Sequence, residues 1–273
     1  MNKKEEEITK NYYASQDIQD FYRNVWGGEN IHIGMYPVEH ATVTPNYILE
    51  ASNRKIDLLI SLLNKFTPFH SGNLTIADFG SGYGGTLRYI SDKCKKSKMD
   101  SYELSPDNCE VNINKNKKGN YNITVLNQSF LDTHKPNNTY DVILSEDAFI
   151  HINDKSELFM EISRVLKPGG YLIFSDIIMT HKENNRKEEK EICDRIGIER
   201  METLVSYNTL ARETNLTYCD SILYQLDALR HYENIRTLAM KYNPTIINGL
   251  NLWIKNIKDN NLTAGILIYK KDN

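Results

Sequence analysis

One short segment does most to limit the folds open to this chain. Residues 74–79 form a mostly apolar, strand-like run, and Gly80, Gly82, Gly84 and Gly85 follow at once. A helical pattern then occupies residues 84–94, so the glycines form the turn that carries a strand into a helix. Glycine suits such a turn because it takes positive φ without strain and lets backbone approach a bound molecule. Strand patterns over residues 99–104, 122–126, 140–144 and 171–174 repeat the theme, with helical patterns over 47–66, from Ser105-Pro106 onward, and over 154–166. Ser105 before Pro106 is a helix start signal, and Lys167-Pro168-Gly169-Gly170 is a stop. Short strands alternating with longer helices predict an α/β fold, its largely parallel sheet covered on both faces.

The remaining stretches set this core in context. Residues 1–15 read as a polar lead, and residues 17–47 as a helix and a shaped loop, with Phe21, Tyr22, Val25 and Trp26 beside Gly27-Gly28 and Gly34. Beyond the fifth strand, residues 179–200 are charged, and the Lys/Glu run over 186–191 reads as a solvated helix. A strand over 218–224, helices over 227–242 and 244–257, and a strand over 264–269 complete the pattern. The division expected is a helical lead and lid over 1–70 and a ligand-binding core over 71–180. An acceptor-side insertion, helices and final strands of the same domain then occupy 181–273.

A chain of 273 residues with 40% hydrophobic side chains supplies a core of this kind. Its net charge of -3 argues against a nucleic-acid binder, whose phosphate contacts leave a basic footprint. The cysteines Cys94, Cys109, Cys193 and Cys219 have no CxxC spacing, the start is charged, and no apolar run is long enough to cross a bilayer. A reduced, cytoplasmic protein without a membrane partner is expected. His32 and His40 lack metal-ligand spacing, so no metal is expected.

Gly80, Gly82 and Gly85 satisfy G-x-G-x-x-G, a spacing that two cofactor classes share. A nicotinamide dinucleotide would set its pyrophosphate on the N-terminus of the following helix. S-adenosylmethionine has no phosphate; its sulfonium and ammonium seek carboxylates and carbonyls. Asp78, two residues before Gly80, suits that ammonium directly or through water. Glu103 ends the next strand and can take both ribose hydroxyls of either cofactor. A purely structural tight turn is the third reading.

With Val165-Leu166-Lys167-Pro168-Gly169-Gly170 before the fifth strand, Asp78-Phe79-Gly80-Ser81-Gly82-Tyr83-Gly84-Gly85 resembles the first motif of the class I S-adenosylmethionine-dependent methyltransferases. The resemblance covers residues 70–180 well and the rest more loosely. It implies a Rossmann-like, mostly parallel sheet of about seven strands with the last antiparallel and helices on both faces, an N-terminal helical lid and a C-terminal helical insertion. It implies S-adenosylmethionine as methyl donor and S-adenosylhomocysteine as product. Gly80, Ser81, Gly82, Glu103 and Leu104 would hold the donor, with Ser129 and Phe130 bordering the adenine and Gln128 and Glu146 on the same side.

Phe21-Tyr22-Arg23-Asn24-Val25-Trp26-Gly27-Gly28-Glu29-Asn30-Ile31-His32-Ile33-Gly34 is similar to the lead of the sarcosine/dimethylglycine N-methyltransferases. Ser145-Glu146-Asp147-Ala148-Phe149-Ile150-His151 resembles their segment after the fourth strand, where Glu146 replaces a usual Gln. The phosphoethanolamine methyltransferases show a comparable lead and segment. In that group a tyrosine and this histidine form an active-site pair, which Tyr22 and His151 match here. His231-Tyr232 opens a further segment similar to the small-amine enzymes.

Methyl transfer to an amine is an in-line displacement that needs an unprotonated nitrogen held against the methyl carbon. His151 is the candidate base, Tyr22 its orienting or closing partner, and Asp147 an ammonium anchor or organiser of the site. Trp26, with Tyr22, offers aromatic faces to a growing quaternary ammonium. A substrate carboxylate calls for an arginine. Arg195 and Arg200 lie in the charged stretch, Arg195 slightly favoured, and Tyr207 and Tyr232 are further pocket candidates. Each has a plain structural alternative, as a core ring, a buried histidine, a loop carboxylate or a surface arginine. The activity expected is methylation of a small amine, sarcosine and N,N-dimethylglycine, to glycine betaine, by a monomer or homodimer with no nucleic-acid partner. A phosphoethanolamine or other phosphobase N-methyltransferase and a natural-product methyltransferase are the alternatives. A NAD-dependent dehydrogenase and a non-catalytic binding protein stand further off.

Overall fold

Apolar side chains alternate along the strands and so divide between the two faces of one sheet. The structure, a computed structural model, describes residues 16–37, 42–69, 72–94, 96–180, 186–242 and 244–273. The lead over 1–15 and His40 lie outside the described residues. The strands are β1 (Thr75–Phe79), β2 (Lys98–Glu103), β3 (Ile123–Asn127), β4 (Tyr140–Glu146), β5 (Leu166–Met179), β6 (Leu216–Leu223) and β7 (Leu262–Lys271). Their order is β3-β2-β1-β4-β5-β7-β6, with β7 antiparallel to both its neighbours and the other pairs parallel. This is the seven-stranded, mostly parallel arrangement expected.

The helices are α1 (Gln16–Val25), α2 (Pro45–Phe66), α3 (Gly85–Lys93), α4 (Pro106–Gly119), α5 (Lys155–Val165), α6 (Arg186–Ile196), α7 (Leu204–Glu213), α8 (Gln225–Ala239) and α9 (Pro244–Lys258). On one face Ile76, Val142, Ile173 and Ile266 meet Leu59 and Leu63 of α2, Leu87 of α3 and Ile254 of α9. On the other face Ala77, Ile143, Phe174 and Leu267 meet Leu158 and Ile162 of α5 and Leu210 of α7. Phe174 lies among the rings of Phe149, Phe159, Tyr207 and Tyr269, so truncating it to alanine costs about 3–5 kcal/mol.

Local signals explain most helix ends. Thr44 caps α2, its Oγ1 accepting from Tyr47 N at 3.1 Å, and Pro45 occupies the first turn. Ser105 and Pro106 open α4 in the same way, and Asn120, at φ 55°, closes it. The periodicity gives no helix over 204–213, yet α7 forms there. Its short, polar sequence is started by a reciprocal cap between Thr203 and Ser206 and buries Tyr207, Leu210 and Ala211.

β5 is longer than its apolar core suggests. Leu166 pairs with Tyr140 and Tyr171 with Val142, so residues 167–170 stand against Asp141 alone as a bulge within the strand. The strand order reverses between β1 and β4, which opens a crevice at the carboxyl ends of the parallel strands. Among the described residues no helix is long and apolar enough to cross a membrane.

Candidate active site

The crevice holds a cavity of about 80 Å³ walled by Gly80, Gly82, Glu103, Leu104, Ser129 and Phe130, with Glu146 and Ala148 opposite. Gly80 has φ 81°, and a Cβ on it would lie 2.4 Å from the Ala148 Cβ, so only glycine fits. Glu103 accepts from Gly82 N at 2.8 Å through Oε2 and from Ser105 N at 2.7 Å through Oε1. These bonds fix its carboxylate at the rim with lone pairs to spare. Phe130 stacks on Phe79 with ring centres 5.3 Å apart and planes at 10°.

Glu146 accepts from Thr86 Oγ1 at 2.6 Å through Oε1, while its buried Oε2 accepts no hydrogen bond. Burial raises the carboxyl of Asp78 well above the usual range, and the neighbouring Glu146 and Glu103 push the same way. Glu146 Oε2 lies 3.5 Å from both Lys55 Nζ and His32 Nδ1, and the three clustered acids still outnumber the single lysine beside them, which suits a cationic ligand. Asp78, buried, and Ser81, whose Oγ accepts from Ser101 Oγ at 2.6 Å, do not line this cavity. Gln128 donates through Nε2 to Thr133 O at 2.9 Å and does not line this cavity.

A second cavity of about 380 Å³ lies under α1 and the loop over 27–36, against α6, α8 and α9. Tyr22, Trp26, Tyr232 and Trp253 give it aromatic walls. Tyr22 meets Trp26 edge-on at 5.3 Å, and Tyr232 stacks on Trp253 at 5.8 Å. The two cavities share Ile31, Asp147 and His151 as walls. His151 ends a single 3-10 turn, Phe149–His151. Burial, helped by the Lys155 charge, pushes its imidazole down to about 4, so the ring is neutral near pH 7.

Asp147 is held from three sides in a left-handed backbone position, φ 55°. Its Oδ2 accepts from Ile33 N at 2.7 Å, and its Oδ1 accepts from Ser175 Oγ at 2.5 Å. Lys55, wholly buried, lies 3.3 Å from both oxygens and donates to Ser175 Oγ at 2.8 Å. Burial opposes the Lys55 charge, but Asp147, Tyr224 and Glu146 outweigh it and raise its pKa. Burial likewise works against the Asp147 charge, and Lys55 and His32 outweigh it, so the carboxyl stays below its ordinary value.

Sequence reasoning missed Lys55. The available signal was its place among Ile48, Ala51, Ser52, Ile56 and Leu59, the buried stripe of α2.

Arg195 lines the larger cavity, and among the described residues of that lining it is the sole lysine or arginine. Arg200 does not reach it: its Nε sits 3.1 Å from Glu202 Oε1 and its side chain is half exposed. Tyr207 does not reach it either. Its hydroxyl donates to Asp176 Oδ2 at 2.5 Å on the opposite face of the sheet, where burial pushes the Asp176 carboxyl up to about 7.

Residues 77–174 match the methyltransferase domain family. The chain is 30% identical to a sarcosine/dimethylglycine N-methyltransferase of Halorhodospira halochloris, over 97% of this chain and 96% of that protein. A shorter match, 35% identical over 44% of this chain and 45% of the other, is to a phosphoethanolamine N-methyltransferase of Plasmodium falciparum. Among solved structures, a Galdieria sulphuraria protein assigned as a sarcosine dimethylglycine methyltransferase superimposes with a TM-score of 0.86. It is 30% identical, and the match covers 96% of this chain and 99% of that one.

Proposed function

The chain belongs to the sarcosine/dimethylglycine N-methyltransferase family, and from that premise we propose that it methylates the nitrogen of sarcosine and N,N-dimethylglycine to give glycine betaine. The observation that carries the acceptor is the single guanidinium of Arg195 in the described lining of the larger cavity. One bidentate arginine matches a carboxylate, whereas a phosphobase would call for further cations around its dianion.

The residues around the smaller cavity carry the chemistry that S-adenosylmethionine would need. The glycine floor admits close approach, Glu103 is set for ribose hydroxyls, and the Asp78–Glu103–Glu146 group favours the ammonium and sulfonium. Bound there, the donor supplies an electrophilic methyl: the nitrogen lone pair forms the N–C bond while sulfur keeps the C–S pair and leaves as S-adenosylhomocysteine.

The residues at the shared wall have distinct tasks. Asp147, fixed by Ile33 N, Ser175 and Lys55, presents a steady negative charge toward the amine. His151 accepts the ammonium proton on a ring nitrogen and passes it outward. Its depressed pKa keeps the ring from lingering as a cation beside the sulfonium. Tyr22 and Trp26 face the developing quaternary ammonium with aromatic surface, each good contact contributing about 0.5–2 kcal/mol. Displacement of this kind calls for no metal, so the reading includes none.

The test is transfer from methyl-labelled donor to sarcosine, dimethylglycine and phosphoethanolamine in parallel. Turnover is expected on the first two, and turnover on the phosphobase alone would overturn the assignment.

A further inference from the structure

We propose that Gly249 is a specificity-determining position: it seats the Arg195 guanidinium against α9 so that it meets the acceptor's carboxylate, an inference that rests on the function proposed above. Glycine in a helix interior is less stable than alanine, so its presence in the middle of α9 asks for a reason. The backbone gives none, because Gly249 has no positive φ. The reason is occupancy. A Cβ at this position would lie 1.7 Å from Arg195 Nη2, 1.9 Å from Cζ and 2.5 Å from Nη1, its three nearest neighbours all being guanidinium atoms. The arginine fills the space that every other residue type would take.

The seat lies beside the acceptor cavity. Ile246, three residues before Gly249, and Trp253, four after it, share its helix face and line that cavity. Arg195 Nη1 donates to Thr245 O at 3.4 Å, a long bond that steadies one edge of the fork. Asp194, the acid next to it in sequence, lies 3.1 Å from Lys190, so that charge has its own partner. A planar fork held against the helix at Gly249 keeps its position, and a fixed guanidinium can make two parallel bonds to a carboxylate. A displacement of about 1 Å is enough to spoil such positioning.

Gly249→Ala makes only the far end of a flexible side chain move, so the fold is spared and the guanidinium is displaced. The expected result is a rise of about tenfold in KM for sarcosine and dimethylglycine, with kcat within about twofold. S-adenosylhomocysteine affinity stays the same, and the thermal midpoint is unchanged or higher because the helix gains alanine. Arg195→Ala raises KM similarly, and the double variant is no worse than Arg195→Ala alone, since both changes remove one interaction. For a carboxylate-free amine such as 2-(dimethylamino)ethanol, Gly249→Ala gives no rise in KM. An unchanged KM for the amino acids, or KM effects that add in the double variant, would overturn the seat alone. A joint fall in thermal midpoint, kcat and donor affinity would reduce Gly249 to a packing residue. Wild-type enzyme inactive on both amino acids would instead overturn the proposed function, and the seat with it.

Discussion

His151 is defined by its surroundings more than by its type. Its ring lines both cavities and is neutral near pH 7. His151→Ala is expected to lower turnover on the order of 100-fold while donor affinity stays within about threefold, measured by steady-state kinetics and calorimetry. The same group leaves a mark on stability. Its folded pKa, about 4, lies below the ordinary value of 6.5. The unfolded chain therefore takes up the proton first as the solution is acidified. Its contribution is complete above about pH 6.5 and is lost as pH falls toward 4. Relative to His151→Gln, wild type should lose on the order of 2 kcal/mol between pH 8 and pH 5, read from urea unfolding of both. A constant difference would show that the ring is not buried neutral. Among single residues, Tyr22, Trp26, Asp147 and His151 were legible because family motifs fix their places, while Arg195 rested on charge and position alone. Tyr207 and Arg200 were not separable from it. Asp176 and Ile177 point to opposite faces of β5, and a linear sequence does not say which face α7 covers.

At the scale of elements, α2 does more than cover the sheet. Its Lys55 ties Asp147, the residue after β4, to Ser175 of β5. Lysine within an apolar stripe ordinarily reads as a stem that carries its charge out to water, which is why its role was not legible. Lys55→Met would leave Asp147 buried without its cation, at a cost of about 3–5 kcal/mol. Adding Asp147→Asn should restore part of that stability, because one of the two buried carboxylates beside Lys55 is then neutral while Glu146, its Oε2 3.5 Å from Lys55 Nζ, still lacks its cation. Urea unfolding of both singles and the double closes the cycle, and an additive result would contradict the pairing. The parallel strands and their helices were legible from period and turn signals. The bulge in β5 was not, since the glycine-rich turn that ends α5 also reads as the end of any pairing.

Across the whole molecule, the two cavities join segments far apart in the chain, from the N-terminal loop to α9. Saturation with S-adenosylhomocysteine at 100 times its Kd should add about 2.7 kcal/mol, or roughly 5–10 °C in thermal midpoint. Amide exchange of Ile33, Gly34 and Tyr36 should slow at the same time, because Ile31 walls the donor cavity. Exchange that slows only in α5 and α7 would place the ligand elsewhere. The amides of Ile33, Gly34 and Tyr36 are hooked to core side chains, Ile33 to Asp147, Gly34 to His231 Nδ1 at 3.2 Å and Tyr36 to Asp227 Oδ1 at 2.6 Å, while Met35 N between them donates to Ala51 O at 2.9 Å. Such a segment is measured out residue by residue, like a strap with fixed eyelets. One residue inserted or deleted between Gly28 and Ile33 would put every hook out of step, whereas exchange of one side chain for another leaves the spacing intact. A working variant should therefore keep the length of this stretch, which is as much a part of the enzyme's specification as any side chain in it.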